Sequence, residues 1–183
     1  MIIYLGHGAA GSAATMRPYI EGLEHRGLLA TAVSLPKRKA EAVVQIYRDQ
    51  VVDLDRSLIG GHSFGGRVAS LLAAESTPAG LVLLSYPLHR PGVPDVEVRS
   101  AHFSRIACPV LLLSGESDPF ARLDLLREAV GRLSHAELVT YPRLGHGLLS
   151  IVDVVVDRIA QFVSALKPTT AATSGQQAGE VTF

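Results

Sequence analysis

The sequence predicts an α/β fold, in which a mostly parallel sheet of about six strands is covered by helices on both faces. Short apolar runs alternate along the chain with longer segments of helical period. Most of the apolar runs are continuous, as in strands that are buried on both faces of a parallel sheet. The alternation of strand and helix also favours right-handed crossover connections.

Each predicted strand is a short apolar run. The runs are Ile2–Leu5, Leu29–Ser34, Ser57–Ile59, Gly80–Leu84, Val110–Ser114 and Ala136–Tyr141. The helices are indicated by apolar residues spaced at i, i+3, i+4 and i+7. The residues with this spacing are Met16, Tyr19, Ile20 and Leu23 in the first helix, Val43, Val44, Tyr47, Val51 and Leu54 in the second, Leu126, Ala129, Val130 and Leu133 in the fourth, and Val152, Val155, Val156, Ile159, Val163 and Leu166 in the fifth. The third helix is expected from about Phe64 to Ala74.

Two segments break this alternation. Residues 85–107 contain three prolines and no long helical period, and a loop of this length inside a domain is often functional. We expect a short helix within it, near Val98–Ser104. The last segment, 167–183, is rich in Thr, Ala, Gly and Gln and is predicted to be a disordered tail. The folded domain is therefore expected to span residues 1–166.

The composition limits the classes of protein to which the chain can belong. The chain has 183 residues, which suits one domain, and 48 % of them are hydrophobic. Lys and Arg together number 17, as do Asp and Glu, so the formal net charge is zero. A protein that binds the phosphate backbone of nucleic acid normally shows a basic excess, and we therefore expect no nucleic-acid partner.

The location is predicted from equally simple features. The single cysteine, Cys108, precludes an intramolecular disulfide, suits a reducing compartment and is expected to be buried. The chain starts without the basic and apolar regions of a secretory signal, and no apolar run approaches the ~18 residues that span a bilayer. We expect a cytoplasmic protein with no membrane partner.

A G-x-S-x-G motif is the most informative chemical feature. It comprises Gly61-His62-Ser63-Phe64-Gly65 and lies between a predicted strand and a predicted helix. In that context the serine occupies a sharp strand-to-helix turn that exposes its hydroxyl, the nucleophile elbow. The flanking glycines suit the close backbone approach that such a turn requires.

A serine hydroxyl needs a base to accept its proton and a carboxylate to orient that base. Asp118 follows the strand Val110–Ser114, and His146 follows the strand Ala136–Tyr141. The order of Ser63, Asp118 and His146 along the chain is that of an elbow-type triad. All three come after the carboxyl ends of strands, where ligands bind in open parallel sheets.

Other roles for these residues stay open at this stage. Asp118 could cap the helix that follows it, and Glu116 is the alternative acid. His146 could be an ordinary loop histidine. Two further histidines of the chain, His89 and His102, lie in the long loop and could line the pocket, although structural roles are also compatible with the sequence.

The oxyanion of the reaction requires backbone donors. The expected donors are the N–H groups of Phe64, directly after the serine, and of Ala9, in the glycine-rich loop after the first strand. The glycines of this loop also fit a dinucleotide-binding pattern, but no acidic residue follows at the end of the second strand. We expect no metal or organic cofactor.

From Ile2 to about Leu166 the chain resembles the α/β-hydrolase superfamily. It is similar in particular to a small dienelactone-hydrolase-like subgroup that includes testis-expressed protein 30 and the third regulatory subunit of the NSL histone acetyltransferase complex. The segments that carry the resemblance are His7-Gly8-Ala9, Gly61-His62-Ser63-Phe64-Gly65-Gly66-Arg67, Ser85-Tyr86-Pro87-Leu88-His89-Arg90-Pro91-Gly92 and Ser114-Gly115-Glu116-Ser117-Asp118-Pro119-Phe120. The resemblance implies the α/β-hydrolase fold without a cap domain and without the first antiparallel strands. It departs from dienelactone hydrolases proper, which use a cysteine where this chain has Ser63.

The expected activity is that of a serine esterase acting on a small acyl substrate, with a thioester or amide as less favoured substrates. We expect Tyr86 and His89 in the long loop to contact the substrate. The alternative is a binding or scaffold protein that retains the fold without catalysis, which the resemblance to a complex subunit suggests. An apolar edge strand could also pair two copies of the chain into a homodimer.

Overall fold

A computed structural model describes residues 1–93 and 95–166. All the paired strands belong to one parallel sheet whose order is β2-β1-β3-β4-β5-β6. The strands are β1 (Ile2–Gly6), β2 (Leu29–Val33), β3 (Leu58–His62), β4 (Gly80–Leu84), β5 (Val110–Gly115) and β6 (Ala136–Tyr141). The predicted α/β class and the number of strands are confirmed. The predicted tail, 167–183, lies outside the described residues.

The α-helices cover both faces of this sheet. They are α1 (Arg17–Glu24), α2 (Val44–Arg48), α3 (Phe64–Ala73), α4 (Glu97–Ser100), α5 (Leu123–Val130) and α6 (Val152–Ala165). Short 3-10 turns at Ala13–Met16, Ala40–Ala42, Leu54–Arg56, Phe103–Arg105 and Leu149–Ile151 complete the connections. Within the described residues, no helix is long and apolar enough to cross a bilayer.

Two hydrophobic cores sandwich the sheet because successive residues of a strand point to opposite faces. Leu81 and Leu83 of β4 belong to the core that packs against α2, α3 and α5. Val82 and Leu84 of the same strand belong to the core beneath α1 and α6. Strands β4 and β5 are therefore buried along their whole length, as the continuous runs in the sequence predicted.

The second helix is shorter than its apolar pattern predicted. The periodic residues run from Val43 to Leu54, but α2 ends at Arg48 and a separate 3-10 turn begins at Leu54. Asp53 has a φ of 48°, in the left-handed region, and this conformation interrupts a right-handed helix. Val51 and Leu54 nevertheless pack against the core. The apolar pattern therefore predicted their burial correctly, but its prediction that they lie in a helix with Val43 was wrong.

The segment between β4 and β5 contains little regular structure. It holds α4 and the 3-10 turn Phe103–Arg105, close to the short helix that was predicted near Val98–Ser104. Among the described residues, no separate layer of helices covers the carboxyl edge of the sheet. This edge is therefore open to ligands.

Candidate active site

Ser63 lies at the tight turn between β3 and α3. Its φ and ψ are 50° and −111°, a strained combination for a residue with a side chain. The turn is held by the Ser63 N–H, which donates to the carbonyl of Leu84 over 2.8 Å, and by the start of α3 directly after the serine. This is the geometry of the nucleophile elbow that the G-x-S-x-G motif predicted.

Close backbone packing explains the glycines beside the serine. A Cβ at Gly61 would lie 2.3 Å from the carbonyl oxygen of Gly6, and one at Gly65 would lie 2.2 Å from the same atom. Both distances are far below van der Waals contact, and Gly61 also has a φ of 153°. The two glycines thus let the end of β1 pack directly against the elbow.

The structure brings Ser63, His146 and Asp118 together, although 83 residues separate the first two along the chain. Ser63 Oγ lies 2.8 Å from His146 Nε2, and His146 Nδ1 lies 2.8 Å from Asp118 Oδ2. Because a carboxylate can only accept a hydrogen bond, Nδ1 carries the imidazole proton and Nε2 is the acceptor for the serine hydroxyl. This is the arrangement required for removing a proton from Ser63.

The loop after β5 fixes the carboxylate. Asp118 is only 4 % exposed, and its second oxygen, Oδ1, accepts the N–H of Phe120 over 2.8 Å. Glu116, the alternative acid, instead accepts the hydroxyl of Thr140 over 2.9 Å at the surface. Only Asp118 therefore reaches the imidazole.

A second histidine, His62, stabilises the loop that carries His146. The Nε2–H of His62 donates to the carbonyl oxygen of His146 over 3.0 Å, and the two rings lie 5.2 Å apart between centroids. Burial lowers the pKa of His62, the largest effect, with a further lowering from the positive charge that His146 can carry. A neutral His62 thus holds the backbone of the His146 loop without adding charge beside the imidazole.

The two expected oxyanion donors face the same region. Within the described residues, the N–H groups of Phe64 and Ala9 make no hydrogen bond, so both are available to a ligand. His7 positions the Ala9 loop: its Nδ1–H donates to Gly8 O over 2.8 Å, and its Nε2 accepts the N–H of Leu35 over 3.1 Å. The carbonyl of His7 in turn accepts the N–H of Gly65.

Two clefts meet at Ser63. One has a volume of about 530 Å³ and is lined by His146 and by apolar side chains that include Met16, Tyr19 and Leu149. None of the described residues that line it is Asp, Glu, Lys or Arg. The other has a volume of about 720 Å³ and lies between α3, the segment before α2 and the long loop after β4. We name them the apolar cleft and the cationic cleft, because the second contains several Arg and Lys residues.

Tyr86 and His89 lie elsewhere than expected. Tyr86 is 1 % exposed and its hydroxyl donates to the carbonyl of Arg99, while the Nε2 of His89 accepts the N–H of Arg122 over 3.0 Å. Neither side chain lines a cleft beside Ser63. Both hold the long loop in place, because their polar atoms are already satisfied inside the protein. The expectation that they contact the substrate is therefore corrected.

A further cavity of about 810 Å³ lies at the amino edge of the sheet. It is lined by residues that precede strands, such as Arg56 and Pro109, and is remote from Ser63. Cys108 at its wall is 2 % exposed, so its expected burial is confirmed, and this burial raises the pKa of its thiol to about 12. In the part of the chain that the structure describes, no three His, Cys, Asp or Glu side chains are grouped to hold a metal ion.

Residues 29–148 match the family described as the alpha/beta hydrolase domain, which is more than half of the chain. The chain belongs to the alpha/beta hydrolase family. The match begins at β2 and includes the elbow at Ser63, the Asp118 loop and His146.

Several solved structures share the fold of this alpha/beta hydrolase. A monoacylglycerol lipase of Paleococcus ferrophilus is 16 % identical over 87 % of this chain and 94 % of its own, with a TM-score of 0.76. Est1E of Butyrivibrio proteoclasticus, solved with ferulic acid, is 17 % identical over 90 % and 89 % (TM-score 0.71). A thioesterase domain from the curacin biosynthetic pathway is 14 % identical over 87 % and 90 % (TM-score 0.73).

Several residues around the site of this alpha/beta hydrolase were not predicted from the sequence. His62 and His7 were seen only as parts of motifs, although both orient loops that carry site residues. Phe120 lines both clefts, and its ring lies 4.5 Å from that of His146 between centroids. A signal existed for Phe120, since it directly follows the Asp118-Pro119 pair.

Proposed function

We propose that the chain is a serine esterase that hydrolyses a carboxylic ester through a triad of Ser63, His146 and Asp118. The single observation that carries this proposal is the continuous chain of two 2.8 Å hydrogen bonds from Ser63 Oγ through the imidazole to Asp118. The strained elbow exposes the hydroxyl at the meeting point of two clefts, where an acyl group can reach it.

In the first half of the reaction, Ser63 Oγ attacks the acyl carbon and its proton passes to His146 Nε2. Asp118 keeps the Nδ1 proton in place and stabilises the imidazolium that forms. The N–H groups of Phe64 and Ala9 donate to the negative oxygen of the tetrahedral intermediate. His146 then gives the proton to the leaving group, and an acyl-enzyme on Ser63 remains.

In the second half, a water molecule replaces the leaving group. His146 takes one of its protons as the water attacks the acyl carbon, and a second tetrahedral intermediate forms in the same oxyanion site. Its collapse returns the proton to Ser63 Oγ and releases the acid. The described groups supply every proton transfer, and the mechanism uses no metal or organic cofactor.

The same steps would act on thioesters and amides, which differ in the leaving atom. The names of the structural neighbours, which include a lipase and a thioesterase, agree with acyl transfer as the reaction class. The hydrogen bonds that join Ser63, His146 and Asp118 argue against the scaffold alternative. For a protein without catalysis, an imidazole turned away from Ser63 would be expected. Membership of the dienelactone-hydrolase-like subgroup, a cytoplasmic location and pairing of edge strands between copies stay predictions.

Labelling with a fluorophosphonate tests the proposal directly. Intact mass spectrometry is expected to show one adduct, which peptide mapping places on Ser63. The adduct disappears in Ser63→Ala and stays in the matched control Ser134→Ala, an exposed serine before β6. An unlabelled Ser63, under conditions in which a known serine hydrolase reacts fully, would contradict the proposal.

Catalytic turnover is then measured with esters of graded size. A series of 4-nitrophenyl esters with increasing acyl length is expected to give a burst of nitrophenolate followed by steady turnover, as acyl-enzyme mechanisms do. Ser63→Ala removes both phases. Steady hydrolysis that persists in Ser63→Ala would assign the reaction to another group.

A further inference from the structure

The cationic cleft has no assigned role in the proposed reaction, although it opens directly onto Ser63. It shares Ser63, Ala9 and Phe120 with the apolar cleft and also contains Phe64, whose N–H is an expected oxyanion donor. Whatever part of a substrate occupies this cleft is therefore attached directly to the reacting carbon or to the leaving group.

The charge of this cleft is strongly unbalanced. Within the described part of the chain, five cationic side chains line it against two carboxylates, Glu41 and Asp95. The cations are Arg38, Lys39, Arg67, Arg90 and Arg99. The whole chain has no net charge, so this excess reflects placement rather than composition. Grouped cations of this kind raise the local concentration of anions and stabilise them when bound.

Arg67 is held at a fixed distance along the helix from the nucleophile. It lies one helical turn after Ser63, in α3, and its backbone N–H donates to the Ser63 carbonyl over 3.0 Å. Its side chain is 13 % exposed, and its Nη2 donates to Glu41 Oε1 over 2.5 Å. Because the side chain of Glu41 is 58 % exposed, a bound anion can share or replace this partner at a modest cost.

Arg99 is a second ordered cation of the cationic cleft, and its positive charge is not balanced by a nearby carboxylate of the described chain. Its Nη1 donates to the carbonyl of Pro87 over 2.8 Å, which aims the guanidinium from α4 into the cleft wall. Within the described residues, no carboxylate lies within 4.0 Å of it. Burial, together with the charge of Arg67, lowers the pKa of Arg99, so the site already carries the cost of two neighbouring cations.

The position of His146 decides which half of the ester lies here. In acyl transfer the leaving group must receive its proton from the imidazole, and so it departs beside Nε2. His146 lines the apolar cleft and does not line the cationic cleft. The leaving group is thus directed to the apolar side, and the acyl chain extends to the opposite side of Ser63.

We propose that the preferred substrate carries a negatively charged oxygen group on its acyl half, which binds in the cationic cleft, and an apolar alcohol as its leaving group. This inference rests on the proposed esterase function. The planar guanidinium groups of Arg67 and Arg99 match the oxygen pairs of carboxylates and phosphates. Phe64, Pro87 and Val98 in the same cleft provide contacts for the methylene groups between the ester and the anion.

The test compares two esters with the same leaving group and equal numbers of acyl carbon atoms. These are 4-nitrophenyl hexanoate, which is neutral, and mono(4-nitrophenyl) adipate, which ends in a carboxylate. After correction for their rates of spontaneous hydrolysis, kcat/KM is expected to favour the adipate by about tenfold at low salt, the value of one charge-assisted hydrogen bond. This preference falls as sodium chloride is added, because ions screen exposed charges.

Substitutions of the cations and of a carboxylate in the cationic cleft make the test more specific. Arg99→Met is expected to reduce the adipate preference by about tenfold, and Glu41→Gln to increase it by releasing Arg67. Because Arg99 also holds Pro87, the exposed Arg90→Gln serves as an independent variant, with an expected loss of about threefold. Arg56→Gln, a cation at the amino edge of the sheet, leaves the preference unchanged.

A second pair of esters tests the orientation. Phenyl hexanoate and 4-carboxyphenyl hexanoate place the charge on the leaving group instead, and here no preference for the anion is expected. A preference that appears only in this second pair overturns the assignment of the acyl half to the cationic cleft. Equal rates for hexanoate and adipate, unchanged by Arg99→Met and Arg90→Gln, overturn the anion site itself. If no ester is turned over and Ser63 takes no fluorophosphonate, the esterase proposal fails instead.

Discussion

The carboxylate of Asp118 accepts the Nδ1–H of His146 with one oxygen and the N–H of Phe120 with the other, each over 2.8 Å. The second bond fixes the plane of the carboxylate, so that the first can fix the plane and the tautomer of the imidazole. The two bonds separate the structural role of Asp118 from its proposed chemical role, and a single substitution can distinguish them.

Asp118→Asn is expected to lower kcat by about 10⁴ while the fold stays intact. The amide oxygen of asparagine can still accept the N–H of Phe120, but its NH₂ group cannot accept the proton of His146 Nδ1. The imidazole therefore loses the orientation and the tautomer that serve Ser63. Ester hydrolysis and thermal unfolding, measured on the same preparation, check both parts of this prediction. Glu116→Gln, which alters a surface carboxylate of the same loop, provides the matched control and keeps its activity.

Tyr47→Phe is expected to destabilise the protein by about 2 kcal/mol. The Tyr47 hydroxyl is fully buried, lies 2.7 Å from the carbonyl oxygens of Tyr4 and Gly60, and accepts the N–H of Gly60 over 3.0 Å. Its removal takes a buried hydrogen-bond partner from these backbone groups of β1 and β3. Urea unfolding measures the change in the free energy of unfolding.

Tyr141→Phe is the control for this loss. The Tyr141 hydroxyl is buried and has no hydrogen-bond partner among the described residues, so its removal costs nothing comparable. Equal destabilisation by the two substitutions would show that the hydrogen bonds of Tyr47 contribute no specific stability.

Gly65→Ala is expected to prevent folding or to cost more than about 4 kcal/mol. The new methyl group would lie 2.2 Å from backbone atoms of Gly6, and neither β1 nor α3 can move without opening the elbow. Soluble yield and circular dichroism report the outcome. Gly147→Ala, where no atom lies within 4 Å of the added Cβ, should remain within about 0.5 kcal/mol of the parent. A folded, stable Gly65→Ala protein would contradict the packing described for the elbow.

Stability is expected to decrease on acidification through His102. Burial, together with the charges of Arg67 and Arg105, lowers the pKa of His102 from 6.5 to about 4 in the folded protein. Between these values the unfolded chain binds a proton that the folded protein does not, so the contribution of His102 is complete above pH 6.5 and is lost as the pH falls towards 4. The slope for this site is up to about 1.4 kcal/mol per pH unit.

The difference between two variants isolates this contribution from that of the carboxylates. His102→Gln should flatten the dependence of the unfolding free energy on pH, and His135→Gln, an exposed histidine before β6, should leave it unchanged. Identical slopes for the parent protein and His102→Gln would show that the histidine titrates normally despite its burial and its hydrogen bond to Ser70 Oγ.

Features set by short-range sequence patterns could be predicted for this chain. The strands, the elbow at Ser63 and the loops that carry Asp118 and His146 all depend on local apolar runs or on tight turns, which leave a mark in a few adjacent residues. Parallel pairing of those strands then aligns their carboxyl ends. The convergence of these three residues needed no knowledge of side-chain packing.

Features that depend on side-chain direction could not be predicted. Tyr86 and His89 belong to a loop near the site, but a loop sequence does not show which of its side chains turn inward. The charge of the cationic cleft could not be predicted either, because its cations come from separate segments: before α2, within α3, and in the long loop that contains α4. A neutral total charge gave no indication that five of the cations would gather beside Ser63.

Among the residues that the structure describes, the apolar and cationic clefts share only Ser63, Ala9 and Phe120. In the proposed orientation, the acid and the alcohol of an ester would therefore contact nearly separate sets of residues. Selectivity for one half can change through substitutions at Met16, Tyr19 or Leu149 without altering the residues that face the other half. If the proposed orientation holds, changes made independently in each cleft would combine to give new substrate preferences, which would make the chain suitable for modular redesign.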